Sequence, residues 1–233
     1  MVGECWAISG YIDHDSLILN GPLANQGLRT VYQSHPELFY PSKTKEFPLL
    51  TKLIDAKADL SVQVHPNDDY AKAHHLGFGK SECWYIVKTK PNALVMYGHN
   101  ALTKEALRDL VEKRQWQSLL RYEPIKKGDF INVPAGSIHA ICEGTLLLET
   151  QQSSDTTYRL YDYDRLDSSN KPRDLHLEEA IAVTAVPSNH EPIKNYLHTK
   201  EAINQLIKTP YFTVEKWVIT SQLSVTKDRF MLV

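Results

Sequence analysis

The chain has 233 residues, enough to bury a sizeable core in one large domain or two small ones. Its apolar fraction (42%) and charged fraction (23%) are those of an ordinary globular protein, and a net charge of -2 gives no reason to expect nucleic acid or an anionic membrane as a partner. No apolar run approaches membrane-spanning length, and the three widely spaced cysteines, Cys5, Cys83 and Cys142, fit free thiols, so a reducing cytoplasm is the expected home.

In chain order, residues 4–19 and 47–65 mix short alternating segments with turn residues and are expected to be β structure. Residues 66–80 read as a polar loop in which His74 and His75 face solvent, and Glu82–Val87 returns to strand. From Thr103 to Arg121 the period changes. Leu107, Leu110, Val111, Leu119 and Leu120 fit one face of an amphipathic helix within an insert of about residues 101–121, opened by Thr103 or Asn100 as cap. The β pattern resumes at Pro124 and runs through Tyr161. The acidic-aromatic run Tyr161, Asp162, Tyr163, Asp164 reads as a strand with aromatics on one face and carboxylates on the other, in preference to a carbohydrate platform. Leu177–Thr184 and Lys200–Lys208 are expected to be short helices. Apolar runs at residues 1–9 and 212–233 would leave an unpaired strand edge, so the ends are expected to pair with something or to continue in a longer polypeptide. The fold class is mainly β, with a few inserted helices.

Two segments carry the chemistry. In Leu60-Ser61-Val62-Gln63-Val64-His65, alternation puts Ser61, Gln63 and His65 on one face and the apolar residues on the other, a polar inner face as in a barrel that holds a ligand. In the stretch from Gly128 to His139, Gly128, Pro134 and Gly136 mark a strand, a tight turn and a second strand that opens on His139. Gln63 and His65 at i and i+2 can share one ion, with Glu82 as a third ligand and His139 as a fourth. Two imidazoles, a carboxylate and an amide oxygen suit zinc, with a position left for water or substrate. The repeat of Glu-Cys-Trp at 4–6 and 82–84 is resolved in favour of Glu82 as ligand, because no histidine lies near Glu4 at ligand spacing.

Leu60–Asp68, Gly79–Tyr85, Gly128–Ala140 and Glu149–Arg165 together resemble the type I mannose-6-phosphate isomerases of the cupin superfamily, in the short bacterial form, over roughly residues 3–187. The resemblance implies a cupin-type β-barrel or jelly roll, with residues 1–187 as the metal-binding catalytic domain. Residues 188–233 would be a connecting helix and the start of a C-terminal β region that continues beyond this sequence. It implies one zinc ion on Gln63, His65, Glu82 and His139, and interconversion of mannose 6-phosphate and fructose 6-phosphate through a cis-enediol. Arg159 is implied as a catalytic residue for the open-chain sugar oxygens and Glu149 as a candidate acid–base group, with Lys52, Ser61 and Lys80 in the substrate pocket. Arg159 and Lys80 could instead clamp the phosphate, and a zinc-bound water could replace Glu149. A metal- and sugar-binding cupin without turnover, such as an inactive fragment, is the alternative, and a cupin oxygenase using iron is a third.

Overall fold

A computed structural model describes residues 2–39, 42, 44–167, 170–188, 193–198 and 202–233. Its strands are β1 (Val2–Tyr11), β2 (His14–Asp15), β3 (Leu49–Ala56), β4 (Val62–Val64), β5 (Glu82–Thr89), β6 (Leu94–His99) and β7 (Leu120–Pro124). They continue with β8 (Asp129–Val133), β9 (His139–Ile141), β10 (Thr145–Gln152), β11 (Tyr158–Tyr161), β12 (Lys194–Asn195), β13 (Ile203–Lys208) and β14 (Thr213–Trp217). The helices are α1 (Leu28–Ser34), α2 (Asp68–Ala73), α3 (Lys104–Glu112), α4 (Trp116–Leu119) and α5 (Leu177–Val183).

Among the described residues, one sheet runs β12-β8-β5-β10-β3-β1-β2 and a second runs β11-β4-β9-β6-β7, with antiparallel neighbours throughout. Ile54, Trp84, Ile86, Ile131 and Leu147 of the first sheet pack against Val95, Tyr97 and Ile141 of the second. This is the cupin-like sandwich: the alternating strands of each sheet bury an apolar face against the other sheet.

The second sheet also has its back covered. Val62 and Val64 of β4 are fully buried against Leu107, Val111, Leu119, Ala180 and Ile181 of α3, α4 and α5. The apolar face of β4 is therefore a helix-packing face, and burial of a side chain such as Leu107 stabilises by about 2 kcal/mol. Lys104 Nζ donates to the carbonyls of Ile181 (2.5 Å), Ala182 (3.0 Å) and Thr184 (2.5 Å), which fixes α3 to the end of α5. On the outside of the first sheet, the β13–β14 hairpin brings Leu206 and Phe212 onto Cys83 and Phe130.

Several expectations change. Thr103 caps α3 by accepting from Ala106 N at 3.1 Å, but the helix ends before Arg114, which takes a left-handed conformation (φ 54°). Residues 116–119 form a separate turn of helix, and Leu120 and Arg121 already belong to β7. The polar stretch 66–80 contains α2, capped by Asn67 Oδ1 accepting from Tyr70 N at 2.9 Å; His74 and His75 are exposed. The segment expected as a helix over 200–208 is strand β13 from Ile203, paired with β14, while 200 and 201 lie outside the described residues. The strand β11 stops at Tyr161, and Tyr163 and Asp164 take left-handed conformations. Tyr161 stacks on Trp116, Asp162 accepts from Arg165 and Arg173, and Asp164 pairs with Arg114. At the ends, β1 pairs with β3, and Phe230 packs on Phe39 and Phe47 without forming a strand. Cys83 and Cys142 are buried free thiols whose pKa burial pushes up, and Cys5 is an exposed one.

Candidate active site

Directly opposite residues on paired strands share a face. Across the second sheet, Arg159 of β11 opposes Gln63 of β4, Gln63 opposes His139 of β9, and His139 opposes Tyr97 of β6. Across the first sheet, Glu82 opposes Val133 and Gln151, while Glu149 opposes both Trp84 and Lys52. Tyr97, Trp84 and Val133 belong to the apolar filling between the sheets. Gln63, His139, Glu82, Glu149 and Lys52 lie beside that core in these rows.

There the structure brings His65, Glu82 and His139 together, each 1% exposed. His65 Nε2 lies 3.4 Å from Glu82 Oε2, and His139 Nε2 lies 3.3 Å from Glu82 Oε1. Both imidazoles use the other nitrogen on a backbone carbonyl: His65 Nδ1 is 2.9 Å from Thr156 O, and His139 Nδ1 is 2.9 Å from Ser137 O. A carbonyl only accepts, so each Nδ1 carries the hydrogen and each Nε2 presents a lone pair to Glu82. Burial drives His65 well below its usual pKa and His139 down to about 4, so both rings are neutral near pH 7. Burial also raises Glu82, against the pull of Lys80 and Lys52.

Neutral Nε2 lone pairs cannot donate to a carboxylate. His65 Nε2 and both Glu82 oxygens are accordingly buried without a hydrogen-bond partner. Three orphaned acceptors converging on one point is costly unless a cation sits among them. A divalent metal satisfies all three, and the donor set fits one. Gln63 stands beside the trio, with its Nε2 3.4 Å from His139 Nε2.

The corner before His139 sets this geometry. Gly136 is left-handed (φ +87°), its N donates to His65 O at 2.9 Å, and an added Cβ would stand 3.1 Å from Val183 O. Ser137 N closes the turn on Pro134 O at 3.1 Å, which aims the Ser137 carbonyl at His139. Gly128, at φ +88°, lies so close to Leu197 that an added Cβ would be 2.4 Å from its Cβ.

A second charged group adjoins the first. Lys52 Nζ is 2.7 Å from Glu4 Oε1 and 3.7 Å from Glu149 Oε1, and it lies over the Trp6 ring. Burial opposes the Lys52 charge, but Glu149 and Glu4 outweigh it and raise its pKa. Glu4 is therefore a partner of Lys52, outside the metal trio. Glu149 accepts from Trp84 Nε1 at 3.0 Å, and burial, with Glu82 nearby, raises its pKa to about 7. Lys80, 3.9 Å from Glu82 Oε2, is buried, and that burial lowers its pKa. Ser61 is buried one residue before β4. Arg159 stands apart from this cluster: its Nη1 donates to Asp174 O at 2.8 Å, and its buried Nε has no partner.

The sequence did not single out the supports around these groups. Gln152 Oε1 accepts from Ser81 N at 2.9 Å, next to Glu82, and its Nε2 donates to Asp68 Oδ1, which also accepts from Gly79 N. The Thr156 and Ser137 carbonyls are backbone atoms, for which side-chain spacing holds no signal.

Comparison with known proteins gives this arrangement a context. Residues 1–93 match the family model described as phosphomannose isomerase type I, catalytic domain. The mannose-6-phosphate isomerase ManA of Bacillus subtilis is 46% identical over 99% of this chain and 75% of its own length. A crystal structure of a Bacillus subtilis mannose 6-phosphate isomerase superposes with a TM-score of 0.87 at 45% identity, covering 94% of this chain and 70% of that one. A zinc-bound holo mannose 6-phosphate isomerase shares the fold at 15% identity, with a TM-score of 0.67 over 91% of this chain and 74% of that one. Among the described residues, no helix is long and apolar enough to cross a membrane.

Proposed function

The chain belongs to the type I phosphomannose isomerase family and acts as an isomerase of mannose 6-phosphate; we propose that it forms fructose 6-phosphate reversibly through a cis-enediol, with one zinc ion on Gln63, His65, Glu82 and His139. The observation that carries this reading is the buried trio with its orphaned His65 Nε2 and Glu82 oxygens. The zinc-bound relative of the same fold supports zinc as the metal.

The difficult step is loss of the C2 proton from the open-chain sugar, because negative charge builds on the carbonyl oxygen as the bond breaks. When bound, zinc supplies a fixed positive charge that holds a sugar oxygen and polarises it. Arg159 adds a permanent, planar guanidinium from the same sheet face as Gln63 and His139, suited to paired enediolate oxygens. Glu149 takes the proton from C2 and returns it to C1. A pKa of about 7 suits that exchange near neutrality, although a cation beside Glu82 offsets part of the rise. Lys52, beside Glu149, stabilises its ionised form. Lys52, Ser61 and Lys80 bind the substrate, and the two desolvated ammonium groups favour an added dianion such as a sugar phosphate.

A coupled assay for fructose 6-phosphate, run in heavy water, tests the reading. Turnover with solvent deuterium entering at the carbon that gains the proton is expected of an enediol. Deuterium uptake would exclude a hydride shift, and absence of fructose 6-phosphate would refute the reaction.

A further inference from the structure

The hydrogen bond that aims His65 comes from the segment joining β10 to β11, where Thr156 O accepts from Nδ1 at 2.9 Å. A carbonyl on a connecting segment orients an imidazole only if the segment is itself tied down. Gln151, near the end of β10, does this from inside. Its fully buried carboxamide donates through Nε2 to Ser154 O at 2.6 Å and to Gln152 O at 3.0 Å. Ser154 N also donates to Gln152 O at 2.8 Å, and Ser154 Oγ accepts from Thr156 N at 3.4 Å. Register places Gln151 opposite Glu82, on the face of the trio. The neutral NH2 group of the glutamine has two donors, one for each of the two carbonyls that converge on it.

We propose that Gln151 is a positioning residue for the metal centre. It holds the 152–156 turn so that Thr156 O keeps the His65 hydrogen on Nδ1 and leaves Nε2 free for the metal. The proposal rests on the metal reading of the trio. Support of this kind around metal-binding histidines changes affinity by about 10- to 100-fold when removed.

Nitrogen-15 chemical shifts of the histidine rings in the metal-free protein read the tautomers directly, and zinc titration reads the affinity. In the wild type, His65 is expected to carry its hydrogen on Nδ1. In Gln151→Met the hydrogen should spread over both nitrogens and zinc affinity should fall about 10- to 100-fold. His139, held separately by Ser137, should keep its tautomer, which separates this effect from general loosening. A folded variant with the wild-type His65 tautomer and zinc affinity overturns the proposal, as does a wild-type His65 with its hydrogen on Nε2. If the methionine variant does not fold, Gln151→Glu, of the same shape but without the two donors, is judged by the His65 tautomer alone, because a carboxylate on the face of the trio would itself attract zinc. A wild type that holds Nδ1–H but takes up no zinc would defeat the metal reading while leaving the positioning of His65 intact.

Discussion

His139→Ala is expected to empty the metal site. The substitution removes one of the two imidazole ligand atoms facing Glu82. The loss of zinc affinity should exceed the roughly 100-fold that loss of an outer support can produce. Activity falls with the metal. The fold should survive, because His139 is neutral and Lys80, 3.9 Å from Glu82 Oε2, stays beside the carboxylate when the metal is lost. The cost is a cavity beside Trp84, whose ring centroid lies 5.4 Å from that of the imidazole, and about 2–5 kcal/mol of stability. Metal analysis alongside circular dichroism checks this. A folded variant with full zinc content would remove His139 from the ligand set.

Arg159→Ala should do the opposite: zinc stays and turnover goes. Arg159 is in register with Gln63 but donates its Nη1 to Asp174 O, away from Glu82 and the two histidines. Losing a preorganised cation beside a developing oxyanion costs about 100- to 1000-fold in kcat. Arg159→Lys should recover only part, because an ammonium keeps the charge but lacks the planar pair of donors. Steady-state kinetics with zinc content measured on the same preparations decides. Turnover within about threefold of wild type would assign Arg159 to the structure of the 159–176 segment alone, whereas a rise in KM with kcat unchanged would make it a phosphate clamp.

The sequence made the trio legible because each member stands beside a signal of backbone geometry. His65 follows a clean alternation, Glu82 opens a strand, and His139 follows the Pro134–Gly136 corner. Gln151 and Gln152 carried no such signal, since their partners are loop backbone groups and residues far along the chain. The helical reading of 200–208 failed for a related reason. Ile203, Leu206 and Ile207 fit a helical period, but pairing with β14 buries Asn204 and Leu206 as a strand does. Tertiary pairing overrode a short local pattern. The helix from Thr103 was found at its cap and overrun at its end, because Arg114 is not the glycine that ordinarily announces a left-handed stop. Val62 and Val64 could be read as an apolar face, but not as one covered by helices more than forty residues away in sequence.

The His65–Glu82–His139 cluster is expected to hold the metal on which the isomerisation depends. Zinc content and fructose 6-phosphate formation, measured on one sample before and after chelation, test it most directly. One equivalent of zinc, activity lost on chelation and activity restored by added zinc are the predicted results. Undiminished activity in protein shown to be free of metal would mean that the isomerisation does not depend on a metal at this cluster.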